Sequence, residues 1–150
     1  MSEIDYTELP FIDEHRRLVA APPAAVWAAL TDWIAGANLG VTDLFADLVG
    51  TEPRRASGTI PEVGATLPGF AITESVPDDH LTLTGRHRFS RYALIFSVRA
   101  ESGGTVLSAR SYAEFPGLHG RLYRTAVITS GAHRILVRQL LARITHSLNT

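Results

Sequence analysis

Cysteine is absent, which removes disulfides, thiol nucleophiles, iron–sulfur clusters and Cys-type zinc sites in one step. Lysine is absent too, so all 14 basic residues are arginine. Beside the abundance of alanine, that bias reflects genome composition rather than function. Neither charge is in excess: 14 basic residues face 15 acidic ones, for a net charge of −1. A chain so balanced has no bulk field with which to capture nucleic acid or an anionic membrane surface. No run approaches the ~18 apolar residues that a membrane span needs. The amino-terminal "MSEIDYTELP" is acidic and lacks the long apolar centre of a signal peptide. The expectation is a cytoplasmic protein.

What is present is the composition of an ordinary globular chain: 150 residues, 45% hydrophobic and 19% charged. That length suits one domain with a core of its own. We expect a loose lead-in over 1–11 and a single domain over 12–150. "DEHRRLVA" (13–20) reads as a strand of weak alternation. "APPAAVWAALTDW" (21–33) reads as a helix, with Pro22 or Pro23 in its first turn and Val26, Ala29, Leu30 and Trp33 at helical spacing. After a Gly/Asn break, "VTDLFADLV" predicts a second short helix with Val41, Leu44, Phe45 and Leu48 on one stripe. A long connection over 50–69 has one edge strand near Thr59 to Ala65.

From Gly69 the period becomes two. "FAITESV", "LTLTGRHRF", "YALIFSVRA" and "TVLSARSYAEF" are separated by short polar turns, the pattern of an antiparallel meander. A two-residue loop at Ser90–Arg91 pairs Phe89 with Tyr92 and His87 with Leu94. A four-residue loop at Glu101–Gly104 pairs Ala100 with Thr105 and Val98 with Leu107. Opposed residues share a face, so Leu81, Leu83, Gly85, His87, Leu94, Phe96, Val98, Leu107, Ala109 and Ser111 fall on the core side. Arg86, Arg88, Arg99 and Arg110 fall on the other side with Thr82 and Thr84, where solvation or pairing with carboxylates is expected rather than phosphate binding. A final helical pattern runs from about Arg121 to Ser147, its stripe carrying Thr129, His133, Leu136 and Leu140. Ile128 and Ile135 lie on its back, a surface that would suit a homodimer.

This order of elements is an α+β arrangement. "LVAAPPAAVWAALTDW" resembles the strand-into-helix opening of the SRPBCC superfamily (START and Bet v 1-like, including polyketide cyclase and aromatase domains). "ESVPDDHLTLTGR" resembles its hairpin, "ESGGTVLSARSYAEF" its penultimate turn and last strand, and "GRLYRTAVITSGAHRILVRQLLARI" the closing helix of a bacterial branch. The resemblance spans about 12–148. It implies a helix-grip fold, with a curved antiparallel sheet wrapped around a long carboxy-terminal helix and two short helices after the first strand. It also implies an internal cavity for a hydrophobic or aromatic small molecule, without implying one reaction.

The residues expected to line that cavity are Phe70, Ile72, Leu83, His87, Phe96, Ala109, Ser111, Thr129, His133 and Leu136. His87 and His133 are the candidates for proton transfer or for anchoring a polar ligand end, because imidazole titrates near neutrality. Each can instead be a histidine satisfied by a neighbouring hydroxyl or backbone group. Glu74 shares the parity of Phe70 and Ile72, and a bulge would turn it outward. The small residues Gly85, Ala109, Ser111 and Ala113 leave space, unless Trp27, Trp33, Phe45 and Tyr123 fill it. No phosphate loop, metal-ligand spacing or nucleophile elbow is found, so no metal and no cofactor are expected. Three functions stay open: binding of an apolar small molecule, a cofactor-free cyclase or aromatase working through an inward histidine, and a structural or dimerisation domain with a filled core.

Overall fold

A computed structural model describes residues 9–36, 57–67, 69–87, 90–114 and 142. Six strands form one sheet: β1 (Phe11–Val19), β2 (Thr66–Leu67), β3 (Phe70–Val76), β4 (His80–His87), β5 (Ser90–Glu101) and β6 (Gly104–Glu114). Helix α1 (Pro23–Gly36) follows β1. Among the described residues the sheet order is β1-β6-β5-β4-β3-β2 and every pairing is antiparallel, so in this α+β arrangement the first strand pairs with β6. The expected second helix over 41–49 and the carboxy-terminal helix over 121–147, with Ile128 and Ile135, lie outside the described residues. No helix among the described residues is long and apolar enough to cross a membrane.

Helix α1 begins where the prolines allow it. Pro23 is its first residue, where a missing N–H costs nothing, and the Pro22 carbonyl accepts from Ala25 N–H at 3.0 Å and Val26 N–H at 3.1 Å. Val26, Trp27, Leu30 and Ile34 follow steps of one, three and four and are all buried. They join Leu81, Leu83, Phe96, Val98, Leu107 and Ala109 in one core, which fixes the inner face of the sheet. Burying each of the larger aliphatic side chains contributes roughly 1.5–3 kcal/mol. Thr105 Oγ1 donates to the Ala21 carbonyl at 2.7 Å, tying the β1–α1 connection to β6. Trp27 is buried in this core and Trp33 packs against it, so part of the volume between helix and sheet is filled by tryptophan.

The β5–β6 register is the expected one, with Ala100 opposite Thr105 and Val98 opposite Leu107. The β4–β5 register is not. His87 pairs with Ser90 and Gly85 with Tyr92, so Ser90 and Arg91 belong to the ladder rather than to the loop. Packing explains the difference. A Cβ on Gly85 would stand 2.8 Å from Tyr92 Cε2, so this glycine accepts the ring opposite it, and Tyr92 Oη donates to the Gly69 carbonyl at 2.6 Å. His87 moves from Leu94 to Ser90, an even slip of four residues, and every side chain keeps its expected face.

Two other expectations need correction. The stretch from Thr59 to Ala65 forms turns, and the short strand is Thr66–Leu67. Pro61 has no N–H to give a ladder, and Gly58 and Gly64 take φ of 73° and 94°. The outer face is not uniformly solvated either. Arg86, Arg99 and Arg110 are exposed, but Thr82 and Thr84 on the same side are buried. Carboxylates do meet the arginines: Glu14 accepts from Arg16 at 2.7 Å and lies 3.3 Å from Arg110, and Arg91 pairs with Glu114 at 3.1 Å. The Arg16 hydrogen bond, helped by Arg110, holds the Glu14 carboxyl below the usual range despite some desolvation. Arg88 lies outside the described residues.

Candidate functional site

Register alone sets a continuous row of side chains across the inner face. Asp13 on β1 opposes Ser111 on β6, Ser111 opposes Leu94 on β5, Leu94 opposes Leu83 on β4, and Leu83 opposes Ile72 on β3. Neighbouring strands are ~4.8 Å apart, so Ser111 and Ile72 stand about 14 Å apart along the row. A second row runs His15, Ala109, Phe96 and Leu81. Both rows are polar at the β1 end and apolar beyond it.

Among the expected lining residues, Phe70, Ile72, Leu83, Phe96, Ala109 and Ser111 therefore do come together on one face. Ile72, Leu83, Phe96 and Ala109 are fully buried members of the core. Phe70 and Leu94 are only partly buried and pack against that core, and Tyr92 keeps partial exposure. Phe70 and Tyr92 meet edge to face, with centroids 5.2 Å apart and planes at 64°. His87 is the last residue of β4, and its side chain lies outside the described part. Thr129, His133 and Leu136 lie outside it as well.

Gly85 does not leave the space expected of it. A Cβ there would stand 1.9 Å from the Gly69 carbonyl oxygen. Its missing side chain admits a backbone rather than a ligand. Glu74 is turned away from the inner face, because a bulge between Ile72 and Glu74 reverses the parity and sets it opposite Thr82. There it accepts from His80 Nε2 at 2.6 Å, while Asp79 meets His80 Nδ1 at 2.5 Å. The Asp79 hydrogen bond, followed by that of Glu74, raises the His80 pKa above its ordinary value against a smaller opposing desolvation. "PDDH" makes the expected turn, with Asp78 at φ 62°, a conformation aspartate tolerates. Among the described residues no group of three or more His, Cys, Asp or Glu could hold a metal ion.

Sequence reasoning missed Asp13 and His15. Both are mostly covered, with side chains 19% and 12% exposed, and His15 Nε2 lies 3.2 Å from Asp13 Oδ2. Ser111 is 5% exposed, and its Oγ is buried without a hydrogen-bond partner. The signal available was the inward Val19, which puts Arg17, His15 and Asp13 on its own side by period two. Arg17 escapes to solvent, and that broke the visible alternation.

No protein-family profile matches the chain, and no curated protein does. Solved structures match over most of its length. Protein CV1439 from Chromobacterium violaceum aligns with a TM-score of 0.56 at 18% identity, over 89% of this chain and 94% of its own. CalU16 from Micromonospora echinospora aligns at 0.50 and 16% identity, over 89% and 81%. The di-domain ARO/CYC StfQ from the steffimycin biosynthetic pathway aligns at 0.50 and 13% identity, over 92% of this chain and 51% of its own. The chain thus shares the fold of these solved structures. At these identities the likeness is one of fold alone.

Proposed function

We propose that the protein binds a small hydrophobic or aromatic molecule against the inner face of its sheet. The observation that carries this reading is the row from Asp13 and Ser111 to Leu94, Leu83 and Ile72, polar at one end and apolar along the rest. Small-molecule sites are apolar surfaces with a few polar groups that fix orientation, and this row has that composition. Phe70, Tyr92 and Leu94 keep partial exposure beside the buried core, which supports contact with something beyond it. Apolar burial would supply affinity at ~25 cal/mol per Å². The likeness to StfQ supports the same class of use, although a shared fold carries no particular reaction.

The test is native mass spectrometry of protein purified from its own host, with titration of apolar fluorescent dyes. Binding predicts a retained small molecule, or dye uptake that an apolar competitor reverses. Absence of both at micromolar concentration would leave the filled-core reading, to which Trp27 and Trp33 already contribute. Turnover of an aromatic polyketide mimic would instead favour the cyclase reading.

A further inference from the structure

Three polar side chains gather at the β1 end of the inner face, beside the apolar core. Asp13 is directly opposite Ser111, and His15 is opposite Ala109 in the next row. The Ser111 hydroxyl is buried and makes no hydrogen bond, a condition that few buried polar groups sustain without a reason. His15 holds Asp13 at 3.2 Å. The Asp13 carboxylate, directly beside Ser111, is a group that can accept several hydrogen bonds at once. Glu14 and Arg16 have the opposite parity and meet each other on the outer face, and Arg17 is exposed.

We infer that Asp13, His15 and Ser111 anchor a hydroxyl group, phenolic, enolic or alcoholic, on an otherwise apolar ligand. This rests on the binding reading above and adds the polar chemistry that reading leaves open. A hydroxyl both donates and accepts. It donates a hydrogen bond to the Asp13 carboxylate and accepts one from Ser111 Oγ, satisfying a serine hydroxyl that has no partner within the fold. A ligand carboxylate meets the like charge of Asp13, and a plain hydrocarbon leaves Ser111 unsatisfied. His15 is a positioning residue in this arrangement, orienting Asp13 without touching the ligand.

The experiment compares naphthalene, 2-naphthol and 2-naphthoate by calorimetric or fluorescence titration on the full chain, as wild type, Ser111→Ala and Asp13→Asn. Wild type should favour 2-naphthol over naphthalene by about tenfold, the worth of a hydrogen bond to a charged group, and should bind 2-naphthoate most weakly. Both variants should shrink the preference for 2-naphthol over naphthalene. Asp13→Asn should also relieve the penalty on 2-naphthoate, which a merely structural aspartate would not do. Thermal melts accompany each titration, and Ser111→Ala carries the test if Asp13→Asn does not fold. Equal binding of naphthol and naphthalene to wild type, or a preference that survives both variants, overturns the anchor while leaving apolar binding intact. Failure of all three probes to bind overturns the anchor together with the binding reading.

Discussion

Ser111→Ala should make the empty protein more stable while making it a worse binder. The serine oxygen is buried and makes no hydrogen bond. Leaving a polar group in that condition costs about 1–3 kcal/mol of desolvation with no return. Alanine removes the oxygen, keeps the Cβ and opens only a hydroxyl-sized gap beside Leu94 and Asp13. Its poorer strand propensity gives back a few tenths of a kcal/mol. The net expectation is a gain of about 1–2 kcal/mol, which for a chain of this length raises Tm by roughly 3–6 °C. In the hydroxyl-bearing complex the sign reverses. A neutral hydrogen bond of about 0.5–1.5 kcal/mol disappears, so Kd rises by roughly two- to twelvefold. Differential scanning calorimetry with and without 2-naphthol reads both quantities on one sample. A Ser111→Ala protein that melts below wild type would refute the reasoning, because it would mean that the hydroxyl is already satisfied within the fold.

Thr82→Val makes the complementary control: Thr82 Oγ1 is also buried and unpartnered but faces the outer side. It should raise Tm by a similar ~1 kcal/mol equivalent with no change in ligand affinity, and a change in affinity would undo the assignment of faces. Gly85→Ala drives a Cβ into the Gly69 carbonyl and the Tyr92 ring, so a loss of at least about 1–3 kcal/mol in denaturant melts is expected. Neutrality would mean that β3 can shift away from β4. His80→Gln should have a pH-dependent effect. The folded-state pKa of His80 is raised, first by Asp79 and then by Glu74, so its stabilisation is full below the ordinary value of about 6.5. It is lost as pH rises through the raised value. The Tm gap between wild type and variant should therefore narrow from mildly acidic to alkaline pH, and a gap that widened would contradict the Asp79–His80–Glu74 clamp.

Much of the sheet was legible because face assignment tolerates some register errors. The loop chosen from Ser90 and Arg91 was wrong, but the slip from Leu94 to Ser90 was even, so Leu83, Phe96, Ala109 and Ser111 still shared the expected face. An odd slip would have turned every one of them over. What failed was any position whose fate depends on a distant backbone. Gly85 looked like an opening because its neighbours in sequence do not reveal that Gly69 crosses it. Glu74 was ambiguous because a bulge at Thr73 is a one-residue event with no compositional signature. Asp13 and His15 were missed because the strand that carries them pairs with β6, almost a hundred residues away, and exposed Arg17 hides the local alternation that Val19 begins.

That edge position raises a competing account of the same residues. β1 ends the sheet, and inward-pointing charge is one of the ways an edge strand avoids pairing with another chain. Asp13 and His15 would satisfy that demand with no ligand at all. Ser111 separates the two accounts. It lies on β6, between β1 and β5, where no edge needs guarding. Edge protection also calls for charge at the rim, and Glu14, Arg16 and Arg110 already supply it from the outer face. A buried, unpartnered hydroxyl one strand in from the edge contributes nothing to that defence and costs stability in the empty protein. If edge protection were the whole role of Asp13, Asp13→Asn would promote self-association and leave naphthol selectivity alone. The hydroxyl anchor requires the opposite pair of results: a monomer–oligomer balance unchanged in sedimentation velocity, and selectivity lost.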